Sequence, residues 1–69
     1  MADLDDQHYI LFNVHSPERT PDPDVTRVYA RYFAARQGRV VPDEAELIIR
    51  PYPDGTGRYR VEALTRTAP

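Results

Sequence analysis

The chain has 69 residues, no cysteine, and a formal charge of −2 spread over nine basic and eleven acidic groups. Disulfides, thiolate zinc sites and cysteine nucleophiles are excluded at once, and nothing in the global charge attracts nucleic acid or an anionic membrane. A single domain of this size buries only about 60% of the surface its unfolded chain exposes, so oligomerisation is the remaining route to more buried area.

Residues 1 to 7 open with the acidic stretch Met1-Ala2-Asp3-Leu4-Asp5-Asp6 and read as a disordered arm, and residues 8 to 66 read as the single domain. The arm has neither the basic nor the apolar region of a leader, and no segment approaches the roughly 20 apolar residues of a membrane span. A cytoplasmic protein is expected. His8 to His15 has the composition of a strand, with Ile10, Phe12 and Val14 on one face and Tyr9, Leu11 and Asn13 on the other. Ser16 to Pro21 is a loop, because its prolines interrupt both strand and helix.

Asp22-Pro23 marks a helix start: the proline suits the first helical position, and the aspartate before it can cap the free N–H groups. Gly38 supplies the stop. Between them Val25, Val28, Tyr29 and Tyr32, flanked by Phe33 and Ala35, form one stripe at helical spacing and are expected to face the core. Thr26, Arg27, Ala30, Arg31 and Ala34 are expected to face outward. Arg36 falls on the apolar stripe in the last turn, where a cation meets the negative end of the helix dipole. Residues 39 to 46 read as a loop that buries Val40 and Val41.

Leu47 to Tyr52 and Arg58 to Thr65 bracket Pro53-Asp54-Gly55-Thr56-Gly57, a turn-rich segment of hairpin length. Pro51 lacks an N–H, which places it on an edge strand or at a strand's end. The order strand, helix, strand, strand, with a right-handed crossover, predicts a small α+β domain of β-α-β-β order. It is a split β-α-β arrangement whose three-stranded sheet has the last strand central, covered on one face by one helix. Ile10, Phe12, Val14, Leu47, Ile49, Tyr59, Val61 and Ala63 are expected beneath the helix. Tyr9, Leu11, Ile48, Arg50, Tyr52, Arg58, Arg60, Glu62 and Leu64 are expected on the uncovered face.

No stretch carries a specific catalytic, metal or cofactor motif. His8 and His15 are seven positions apart on one strand and are expected on opposite faces, so they cannot share an ion. Ser16 beside His15 lacks the third group that orients a catalytic base, and the two hairpin glycines lack a helix that would make a phosphate cradle. In length and β-α-β plan the chain is similar to the tautomerases, small oligomeric enzymes whose catalytic group is a proline directly after the initiator methionine. Ala2 occupies that place here, and no activity carries over.

The expected function follows from the face that one helix cannot cover. Tyr9, Leu11, Ile48, Arg50, Tyr52, Arg58, Arg60 and Leu64 are the candidate partner-binding residues of a non-enzymatic adaptor, inhibitor or accessory subunit. It would act through its open sheet face or an edge strand and associate with itself as a homodimer or with another protein. The alternative is a single-stranded nucleic-acid binder, using Arg50, Arg58 and Arg60 for phosphates and Tyr52 for stacking. No cofactor, metal or membrane is expected to take part.

Overall fold

The computed structural model describes residues 6–69. Strand β1 runs over Gln7–His15, helix α1 over Pro23–Arg36, β2 over Arg39–Val40, β3 over Ile48–Pro51 and β4 over Arg58–Thr67. β4 is central. It pairs antiparallel with β1 along one edge and with β3, then β2, along the other, so β1 and β3 run parallel. This is the expected split β-α-β sheet with the last strand in the middle, extended by the two-residue β2, where a loop was expected. Of the arm expected over residues 1 to 7, residues 1–5 lie outside the described residues. Asp6 pairs with Arg66 at 2.9 Å and Gln7 already belongs to β1.

The local signals act as their chemistry requires. The Asp22 carboxylate accepts from the backbone N–H of Asp24 at 2.8 Å, with Pro23 at the first helical position. Gly38 adopts φ +71° just beyond the helix, and its N–H returns to the Ala35 carbonyl at 3.0 Å. The hairpin closes with Tyr52 N–H donating to the Arg58 carbonyl at 2.9 Å, and Pro51 is the final residue of β3.

Two side-chain directions differ from expectation. The first follows from a bulge in β1. Ile10 pairs with Glu62 and Phe12 with Val61, so Leu11 is an extra residue opposite an unbroken β4. One inserted residue reverses the alternation upstream of it. Tyr9, opposite Ala63, therefore turns beneath the helix, Leu11 enters the core at 6% exposure, and Ile10 moves to the uncovered face at 55%. Phe12 and Val14, downstream, keep the expected direction. The bulge also brings His8 and His15 to the same face, where they pair with Leu64 and Arg58 at opposite ends of the ladder.

The second difference is the setting of the helix. Thr26, Ala30 and Ala34, spaced four residues apart, are the buried positions of α1. Val25, Val28, Tyr29 and Tyr32, expected inside, are 53–66% exposed. The reason lies in what the helix meets. Leu11, Val41 and Ala63 with half-buried Tyr9, Phe12, Phe33 and Leu47 already fill the layer between helix and sheet, so small side chains are what fit against them. Val40 is correspondingly exposed, while Val41 is buried as expected.

Arg39 seals the end of this layer. It is buried, lies 4.8 Å over the Tyr9 ring, and donates from Nε to Thr65 Oγ1 at 3.0 Å and from Nη2 to the Thr65 carbonyl at 2.9 Å.

Candidate interaction surfaces

Two surfaces carry side chains whose chemistry is not consumed by the core. On the uncovered sheet face, alternate residues of the central strand, Arg58, Arg60, Glu62 and Leu64, point outward beside Ile48 and Arg50 of β3 and His8 and Ile10 of β1. Glu62 sits at the centre and is itself buried. Its carboxylate accepts from His8 Nε2 at 2.5 Å and Arg60 Nε at 2.9 Å and pairs with Arg50 Nε at 3.1 Å. The hydrogen bond from His8, and then the charges of Arg50 and Arg60, hold the carboxyl below its ordinary range against the opposing effect of burial.

Such a carboxylate is ionised and fully engaged at neutral pH. Its proton affinity is shifted away from what a general acid or base requires. Among the described residues no group of three or more histidine or carboxylate side chains converges as a metal site, and no helix is long and apolar enough to cross a membrane.

The hairpin residues proposed from sequence are also turned toward partners within the chain. Arg58 lies 5.1 Å over the Tyr52 ring and reaches Asp54 at 3.3 Å, while the Tyr52 hydroxyl donates to Asn13 Oδ1 at 2.7 Å. Asp54 is held below its ordinary carboxylate range by hydrogen bonds from Thr56 and, after those, from Arg58. Of the eight candidate residues, Ile48, Arg50, Tyr52, Arg58, Arg60 and Leu64 do share the uncovered face. Tyr9 and Leu11 do not, because the bulge turns both inward. Ile10 stands on this face instead.

The second surface was missed by sequence reasoning. The outer face of α1 presents Val25, Val28, Tyr29 and Tyr32 as one apolar stripe, leaving roughly 400 Å² of these four residues exposed, within the size range of the largest patch on a small monomer. The stripe continues into an open groove between α1 and β1, lined by Phe12, Val14, Val28, Tyr29, Tyr32 and Phe33. The aromatic rings there support one another: Phe12 stacks on Phe33 at 5.0 Å between centroids, and Tyr32 meets Phe33 edge-on at 5.3 Å. Arg36 ends the stripe, donating to the Tyr32 hydroxyl at 2.9 Å. A charge on an apolar stripe is thus explained, since the stripe is in water. The small-residue row Thr26, Ala30, Ala34 was the available signal for this setting, because a helix can approach a bulky sheet closely only through such a row.

Compared with family models, characterised proteins and solved structures, the chain matches none.

Proposed function

We propose that the protein is a non-enzymatic protein-binding module, a cytoplasmic adaptor, inhibitor or accessory subunit, that docks through the outer face of α1. The supporting observation is the inverted helix: its large apolar side chains face water while alanines face the sheet. Helices that bury an apolar row in a partner commonly present anchors three and four residues apart, which is the spacing of Val25, Val28, Tyr29 and Tyr32. The groove beside β1 offers further apolar rim, and β1 has an outer edge that pairs with no strand among the described residues.

The uncovered sheet face supports docking less well. Its centre is an ion cluster already satisfied within the chain, and its apolar residues Ile10, Ile48 and Leu64 surround charges. The nucleic-acid alternative meets the same obstacle, because phosphate would compete with Glu62 for Arg50 and Arg60 and with Asp54 for Arg58.

A photo-cross-linking amino acid at position 28, with position 54 as the control, tests the docking surface in the source cell. A discrete adduct from position 28 alone is the expected outcome. Absence of any adduct at position 28, with the folded protein present, overturns the α1 reading.

A further inference from the structure

The outer face of α1 is complementary to itself, and we infer that its occupant is a second copy of the chain, the two helices antiparallel about a two-fold axis beside Tyr29; this rests on the reading of α1 as a docking surface. Val25, Val28, Tyr32 and Ala35 follow one another at intervals of three, four and three, the seam that two helices bury between them. Asp22, Tyr29 and Arg36 run along one flank of that seam at intervals of seven. The flank is therefore acidic at its beginning, apolar in the middle and basic at its end.

Charge decides the direction. Parallel helices would face this flank with the opposite one and bring Arg36 of each copy beside Arg31 of the other. Antiparallel helices centred on Tyr29 set the Asp22 end of each copy against the Arg36 end of the other, and the two contacts are identical by symmetry. The Asp22 cap uses Oδ1, and the Arg36 side chain is exposed at the opposite end, over the Tyr32 ring. Antiparallel packing also opposes the two helix dipoles favourably. On the other flank Arg31 is turned to Asp43 at 2.6 Å, which offsets its charge near the axis.

The area agrees with a second copy as occupant. The stripe contributes roughly 400 Å² from each copy, so a pair buries about 800 Å², and the half-buried rim of Phe12 and Val14 brings the total toward the roughly 1,000 Å² that a specific interface needs. An interface at this lower limit belongs with weak, reversible dimers, for which we take a micromolar dissociation constant, on the order of 10 µM, as the expectation to test.

The absence of cysteine makes the geometry directly testable with single-cysteine variants. Under mild oxidation Tyr29→Cys is expected to give a disulfide-linked dimer. Arg36→Cys is not, because antiparallel pairing holds the two copies of that position about 20 Å apart along the helix axis. Self-linking of Arg36→Cys overturns the antiparallel arrangement. Light scattering on the unmodified protein is expected to show a dimer at 200 µM that dissociates by 1 µM. Val28→Glu, with unchanged circular dichroism, is expected to raise the dissociation constant at least tenfold. A monomer at 200 µM overturns self-association, and a dimer indifferent to Val28→Glu overturns α1 as its interface. A position-28 photo-adduct of twice the chain mass supports the second copy. An adduct of any other mass refutes it and leaves the docking reading standing, and no adduct removes both.

Discussion

Ala30→Leu is expected to destabilise the fold by about 1–3 kcal/mol, whereas Val28→Ala is expected to change stability by no more than about 0.5 kcal/mol. Ala30 is fully buried against a layer that already holds Leu11, Val41 and Ala63, so three added carbons must displace either the helix or its neighbours. Val28 is 66% exposed. Only about a third of its side chain is withdrawn from water, which is worth roughly 0.5–1 kcal/mol, and the better helix propensity of alanine returns about 0.5 kcal/mol. The assay is urea unfolding followed by circular dichroism at about 1 µM, below the proposed dissociation constant, so that loss of association does not enter the comparison. Were Ala30→Leu neutral and Val28→Ala to cost more than about 1.5 kcal/mol, the helix would be set with its large residues inward and the α1 surface would not exist.

Three further substitutions probe the rest of the fold. Glu62→Gln is expected to cost about 1–2 kcal/mol at pH 7, less than a fully buried pair because Arg50 and Arg60 are half in water. Because the folded Glu62 carboxyl titrates below its ordinary value of 4.5, its stabilisation is present above that pH and is lost as pH falls through the lower folded value. The variant should therefore show a shallower loss of stability below pH 4.5 in acid titration, and an unchanged slope would refute the role of the cluster. Gly57→Ala is expected to lower stability by more than Gly38→Ala in thermal melts. Both glycines have positive φ, but a Cβ at Gly57 would stand 2.4 Å from the Pro17 Cα and one at Gly38 meets open space. Equal costs would mean that the Ser16–Pro21 loop yields freely.

What was legible in the sequence was whatever one residue type dictates alone. Asp22-Pro23 can be little other than a helix start, Gly38 a stop, and Pro51 the end of an edge strand, and from these the split β-α-β order follows by the handedness of the crossover. The bulge at Leu11 was not legible, because His8 to His15 is apolar on both faces. An alternating pattern fixes register only when one face is polar, and here the sequence tolerates either phase. The candidate site inherited this ambiguity: Tyr9 and Leu11, upstream of the correct phase, went to the core, whereas Ile48, Arg50 and the β4 residues, in strands without a bulge, were placed correctly.

The helix setting failed for a different physical reason, and that reason bears on function. Hydrophobic size identifies which face of a helix prefers to leave water, but not whether the chain's own sheet or another molecule receives it. In this protein the layer under α1 is filled from below by Leu11, Tyr9 and Phe12, so the helix contributes methyl groups and keeps its valines and tyrosines outside. The folded chain therefore leaves a large share of its apolar area unused at the size where a single core is barely sufficient. Burial of the α1 stripe would supply the missing area, and since only the folded chain carries that stripe assembled, association and folding are coupled by mass action. Under this reading the inverted helix divides the apolar residues between two interfaces: a small alanine-based one that closes the domain and a valine–tyrosine one that is completed only when a second surface arrives.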